Sequence, residues 1–104
     1  MLARKFRLPI KEFKGHSSKS VSTPYFTVKS LSNCLSYNRL GVIISSKVVG
    51  KATRRNYWKR RITQNFQTWP QSGKDVLIIV NPGINNLKES NLEREMYLVS
   101  NKTK

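Results

Sequence analysis

The chain is 104 residues long, with twenty Lys and Arg against five acids and a net charge of +15, and it has room for one small domain but not for two. An apolar fraction of 38% is enough for a folded core, so the excess charge belongs to a globular basic protein, for which nucleic acid is a better partner than a membrane. The apolar runs Val42–Ile44 and Val76–Val80 are far too short to span a bilayer, and M-L-A-R-K-F-R-L-P at the start lacks the apolar stretch of a secretory signal. Cys34 is the single cysteine and can form no internal disulfide, which agrees with a cytoplasmic location.

In chain order, residues 1–8 read as a flexible basic arm carrying Arg4, Lys5 and Arg7. Pro9 suits the first turn of a short helix through Ile10, Glu12 and Phe13, stopped at Gly15. His16 to Thr23 is Ser-rich and fits either an irregular edge strand or a loop. His16 is the single histidine, and in so polar a stretch an exposed side chain is a more ordinary role for it than a ligand or a base.

Tyr25 to Leu31 alternates and is rich in aromatic and β-branched residues, which predicts a strand with Phe26 and Val28 on the core face. Tyr25, Thr27 and Lys29 then share the other face. A ring, a hydroxyl and a cation suit an unpaired nucleic-acid strand, although a solvated sheet face carries the same pattern. After a polar turn, Arg39 to Ser46 is a nearly continuous apolar run and reads as a central strand.

Six of the eleven residues from Lys51 to Arg61 are Lys or Arg. At about 100° per residue, Trp58, Ile62, Phe66 and Trp69 form one apolar stripe, predicting a helix that ends near Trp69 because Pro70 cannot continue it. Asn56, Arg60, Thr63 and Gln67 lie on the opposite arc, while Lys51, Arg54, Lys59 and Arg61 flank the stripe. One side packs, and the rest either meets phosphates or is simply a solvated basic face. Asp75 then opens a buried strand, V-L-I-I-V, closed by Asn81, Pro82 and Gly83. Asn85 or Asn86 is expected to cap a last helix through Leu87, Leu92, Met96 and Val99, with Glu89 early in it and a frayed tail at 101–104. The expected architecture is a small α/β (α+β) single domain over residues 1–104, of order αβββαβα, with a mixed sheet.

These residues resemble the protein component of bacterial ribonuclease P. The likeness rests on the Gly- and Ser-containing apolar strand at Arg39, Leu40 and Gly41 through Ser45, on Lys47, and then on Ala52, Arg55, Asn56, Lys59 and Arg60, with Phe66 completing the helix. It extends over nearly the whole chain through the D-V-L-I-I-V strand and the last helix. Departures are Thr63 and Gln64 where the family has Arg-Glu, Ser46 where a second Lys is frequent, and an abridged first helix that keeps Phe13.

The resemblance implies a left-handed β-α-β crossover, against the usual preference for right-handed connections. It also implies a protein that assists a catalytic RNA in removing the 5′ leader of precursor tRNA. RNA contacts are then expected at Lys47, Lys51, Arg54, Arg55, Asn56, Lys59, Arg60 and Arg61. A cleft for the single-stranded leader is expected at Phe13, Tyr25, Thr27, Lys29, Ile43 and Ser45. Mg²⁺ would belong to the RNA active site and none would be held by the protein alone.

Catalysis by the protein itself requires paired metal-binding acids or an acid/base pair. The acids are Glu12, Asp75, Glu89, Glu93 and Glu95, and neither they nor one histidine suggest such a pair. The rival from another class is a structural RNA-binding protein of ribosomal type, which shares the composition but has no need of a sheet face open to a single strand.

Overall fold

The computed structural model describes residues 6–8, 19–33, 35–69 and 73–102. Strands β1 (Lys19–Ser22), β2 (Phe26–Ser32) and β3 (Arg39–Ile43) precede helix α1 (Ala52–Phe66). Strand β4 (Lys74–Val80), two 3₁₀ helices (Pro82–Asn86 and Glu89–Asn91) and helix α2 (Leu92–Lys102) follow. The sheet has four strands in the order β1-β2-β4-β3. β2 is antiparallel to both β1 and β4, whereas β3 runs parallel to β4, so β3, α1 and β4 form a β-α-β unit inside a mixed sheet. The expected first helix, with Phe13, and also His16, Cys34 and Pro70 lie outside the described residues.

β4 takes the interior place because V-L-I-I-V is apolar on both of its faces, as a strand with neighbours on either side requires. The register aligns Phe26 with Val80 and Val28 with Ile78, and Leu40 and Val42 with Val76 and Ile78. These side chains make one face of the sheet and join a core in which Trp58, Ile62 and Phe66 are at most 3% exposed. Leu92, Met96 and Val99 bring α2 into the same core. At about 1.5–3 kcal/mol per large apolar side chain buried, the three α1 residues alone hold the helix to the sheet against its weak helix propensity. Beyond Phe66 the chain tightens, with Thr68 N–H donating to Asn65 O and Trp69 N–H to Phe66 O. That carries the Trp69 ring to within 5.0 Å of the Phe66 ring and completes the expected stripe.

Three expectations are corrected. Phe6 to Leu8 are not part of a free arm: Arg7 bridges to Leu40, Leu8 N–H donates to Leu40 O at 2.9 Å, and Leu8 is buried. An apolar Leu beside the unpaired edge of β3 explains the difference, since docking satisfies the edge and buries the side chain. β3 ends at Ile43 and not at Ser46, because Ser45 turns the chain by accepting hydrogen bonds from Val48 N–H and Val49 N–H. The last α-helix begins at Leu92 and not near Leu87; Pro82 instead sets up a 3₁₀ turn whose Ile84 is fully buried.

The chain between β2 and β3 is held by Asp75. Arg39 donates to both carboxylate oxygens at 2.7 Å, Asn33 Nδ2 adds a third bond at 2.9 Å, and the pair is mostly buried. Next to it Lys74 N–H donates to Asn38 Oδ1, and Asn33 N–H to Gly73 O. Gly73 has φ +68°, and a Cβ there would run into the Leu35 carbonyl, so glycine is needed at this close approach.

Burial pushes the Asp75 carboxyl up, but the hydrogen bonds from Arg39 and Asn33 and the Arg39 charge outweigh it and hold it below its ordinary 3.8. Its stabilising contribution is therefore complete above that value and is lost as pH falls through the lower folded-state value. Arg39→Ala should cost about 2–3 kcal/mol at neutral pH by urea unfolding. Asp75→Asn should flatten the loss of stability expected as pH falls below the ordinary carboxyl value of 3.8; an unaltered acid slope would remove Asp75 from this role.

Candidate nucleic-acid interface

The rotation of α1 is set by its buried stripe, and the rest of the helix follows from it. Asn56, Arg60 and Gln64 are exposed on the far side and Lys59 on the flank, while Thr53 and Gln67 extend the far arc. Asp and Glu are absent from Lys47 to Trp69, and no acid occupies the first turn of α1. The positive end of the helix dipole is therefore left without an acidic side chain and lies beside Lys51 and Arg54.

The eight cation-rich positions expected to meet RNA fall into three groups. Lys47, Lys51, Arg54, Asn56, Lys59 and Arg60 are exposed. Arg54 lies over the rings of both Tyr57 and Trp58, at 5.1 and 5.4 Å from their centroids, which aligns its guanidinium along the helix flank. Arg55 is half-buried, and its Nη1 donates to Val49 O at 2.8 Å and to Gly50 O at 2.9 Å. It ties the loop before α1 to the first turn. Arg61 is half-buried at the seam between α1 and α2, in a shallow groove shared with Gln64, Asn65, Thr68 and Glu93. The outward arc thus includes neither Arg55 nor Arg61.

The second face of the sheet carries three of the six other candidates, Thr27, Lys29 and Ile43. Ser22, Thr27, Ile79 and Ile43 form one row across it, and Ser20, Lys29, Leu77 and Gly41 the next. A third row brings Leu31, Asp75 and Arg39 together. Thr27, Lys29 and Ile43 are half-buried there. Thr27 Oγ1 accepts from Asn81 Nδ2 at 3.1 Å, and the same amide donates to Thr23 O at 2.9 Å, which fixes that end of the face. The Asp75 charge in the neighbouring row is met by Arg39, and Lys29 is the cation of the middle row.

Tyr25 precedes β2 and packs against the core margin, its ring edge-on to Phe26 at 6.4 Å. Ser45 lies past the end of β3, exposed, with its Oγ accepting from Val48 N–H at 3.2 Å. Phe13 lies outside the described residues. The structure brings Thr27, Lys29 and Ile43 onto one surface and puts Tyr25 and Ser45 at its strand ends. Sequence reasoning missed the long-range roles of Asn81, Asn85 and Asn33, each of which holds chain far away in sequence. Their amides carry no periodic signal.

Among the described residues, no three His, Cys, Asp or Glu side chains gather as a metal site would need, and no helix is long and apolar enough to cross a membrane. A four-stranded mixed sheet with two helices on one face and a cation-rich helix arc free of acids defines a small electropositive α+β protein. The chain belongs to the ribonuclease P protein family: residues 10–104 match the family Ribonuclease P.

Among curated relatives, the ribonuclease P protein component of Nitrosococcus oceani is 38% identical over 80 residues, 75% of this chain and 67% of the relative. That of Legionella pneumophila strain Corby is 33% identical over 81 residues, 78% and 69% of the two chains. Among solved structures, the RNase P protein of Thermotoga maritima superposes with a TM-score of 0.80 at 25% identity, covering 94% of this chain and 97% of the other. The Staphylococcus aureus RNase P protein gives 0.75 at 26% identity, with 84% and 82% covered.

The partition of the basic residues is testable by stability alone. Arg55→Ala removes two hydrogen bonds from a charged donor and should lower the melting temperature by several degrees, about 1–3 kcal/mol. Arg60→Ala, on the exposed arc, should change stability by no more than about 0.5 kcal/mol. Equal melting curves for the two variants would contradict the division.

Proposed function

We propose that this chain is the protein subunit of ribonuclease P, binding the catalytic RNA through the outward arc of α1 and its preceding loop, and the 5′ leader of precursor tRNA across the second face of the sheet. The observation that carries the reading is the two-sidedness of α1 within this family's fold: Trp58, Ile62 and Phe66 are buried while Asn56, Lys59 and Arg60 face outward with no acid near them in sequence. Each phosphate met by a Lys or Arg releases condensed counterions, so binding at this arc is strong and salt-dependent. Guanidinium groups such as that of Arg60 suit two-point contact with a phosphate. Asn56, with a donor and an acceptor, can orient a sugar or a base edge beside them.

On the sheet, Lys29 would meet the leader backbone. Tyr25 offers a ring for stacking, and Thr27, Ile43 and Ser45 complete the surface. Such contacts would discriminate precursor from mature tRNA, because the leader is what the product lacks. Endonucleolytic cleavage belongs, in this reading, to the RNA, with Mg²⁺ at the RNA active site. Among the described residues the acids do not fit a resident Mg²⁺: the Asp75 oxygens are taken by Arg39 and Asn33, and Glu93 and Glu95 are about 200° apart around α2. Residues 1–104 act as one RNA-binding unit, in the cytoplasm.

The test is precursor-tRNA cleavage at low Mg²⁺ by the host's ribonuclease P RNA, with and without the protein. Stimulation by the protein, together with no cleavage by the protein alone, is expected. Tight RNA binding without stimulation would favour a structural RNA-binding protein instead. Within that assay, Lys59→Ala with Arg60→Ala should weaken assembly and make the slope of log affinity against log salt shallower by roughly 1–2. Lys29→Ala and Tyr25→Ala should spare assembly and reduce the preference for leader-bearing over mature tRNA by roughly 5–10-fold, about one hydrogen-bonded or stacked contact. Equal losses for both tRNAs would take these two residues off the leader path.

A further inference from the structure

The loop between β3 and α1 is built more firmly than its exposure suggests. Val48, Val49 and Gly50 offer three successive backbone carbonyls, and each accepts a hydrogen bond from a side chain. Arg55 donates to the second and third. The first is held by Asn85, whose Nδ2 donates to Val48 O at 2.8 Å from 37 residues away. The Val48 N–H is itself donated to Ser45 at both its carbonyl and its Oγ. The peptide units on both sides of Val48 are thereby tied at opposite ends, and Val49 is anchored in the core.

Asn85 is well placed for this work. It belongs to the 3₁₀ helix Pro82–Asn86, which is pinned by the fully buried Ile84, and its amide is steered by a second bond to Pro82 O at 3.3 Å. The amide brings no charge to a surface that must attract phosphates. What it restrains is the short segment that carries Lys47 at its exposed turn and Lys51 at the start of α1. Ordering a flexible loop during association costs affinity, and a loop ordered beforehand avoids that cost.

We infer that Asn85 is a positioning residue for RNA binding: it presets the 45–51 loop so that Lys47 and Lys51 meet the phosphate backbone of the folded RNA alongside the α1 arc. The inference rests on the proposed function, and specifically on those two lysines as RNA contacts. Asn85 acts through the loop, so its effect must depend on the lysines being present. A residue that merely supported the fold would weaken binding whether or not they were there.

The experiment is a double-mutant cycle on affinity for the ribonuclease P RNA at fixed salt, using the full chain. The proteins are the wild type, Asn85→Ala, the pair Lys47→Ala with Lys51→Ala, and all three changes combined, with Asn86→Ala as the neighbouring control and a melting curve for each. Asn85→Ala should weaken binding by roughly 2–10-fold, the range of one hydrogen bond, and Asn86→Ala should leave it unchanged. In the background lacking both lysines, Asn85→Ala should have no further effect. A full, additive loss in that background, or no loss in the wild-type background, would overturn the inference while leaving the lysine contacts intact. No loss from the lysine pair itself would overturn both the inference and the loop's part in RNA binding; the salt slope of Lys59 and Arg60 would then still report on the α1 arc.

Discussion

The rotational setting of α1 is the constraint from which the rest of this molecule follows. A helix turned by a single position, about 100°, would lift Trp58 or Phe66 out of the core and drive a cation toward the sheet. Both consequences are expensive: each large apolar side chain is worth about 1.5–3 kcal/mol buried, and an unpaired buried charge costs several more. The helix therefore has one permitted orientation, with Trp58, Ile62 and Phe66 inward at 3% exposure or less. Which basic residues reach solvent is a by-product of that packing.

The packing also grades residues that look alike in sequence. Arg54, Arg55, Arg60 and Arg61 differ only by position on the helical wheel, yet one lies over two rings, one closes a loop, one faces outward and one lines a seam between helices. A basic motif counted as a unit would treat them as four equivalent phosphate contacts. Geometry assigns Arg55 to building the surface and leaves Arg60 exposed on it. Arg suits both duties, because its fork of donors satisfies two carbonyls as readily as it meets two phosphate oxygens.

Elements whose signal is local were legible in the sequence. The four- and three-residue steps of Trp58, Ile62, Phe66 and Trp69 marked the helix and its buried side, the alternation of Phe26 and Val28 marked the core face of β2, and the apolar run Val76–Val80 marked an interior strand. The features that escaped depend on residues far apart. Asp75 read as a strand-opening residue in a loop setting, but it is joined to Arg39 and Asn33 at separations of 36 and 42 residues. Asn85 matched a helix cap because Asn favours caps; Pro82 and the burial of Ile84 made a 3₁₀ turn there instead, and the amide turned to Val48. A polar side chain satisfied at long range leaves no periodic trace. On the candidate interface, therefore, the exposed arc was readable, whereas the braces beneath it were not.

The placement of the acids ties fold and proposed function together. Asp75 is consumed by Arg39 inside the sheet end, and Glu93 and Glu95 sit in the first turn of α2, where the helix dipole favours them. Among the described residues, Asp75 is turned into the sheet end, and Glu93 meets α1 only at the groove of Arg61 and Gln64, away from its first turns. Self-repulsion within a chain of net charge +15 is thus left standing where cations are most dense, at a cost to the compact state that the core must offset. A polyanion relieves that repulsion only if it binds the folded arrangement, since the arc exists only once the stripe is buried. Under the proposed function, the RNA is then a ligand of the native state and stabilises it by mass action. In that reading, the charge that burdens the free protein is the same charge that couples its folding to assembly with RNA.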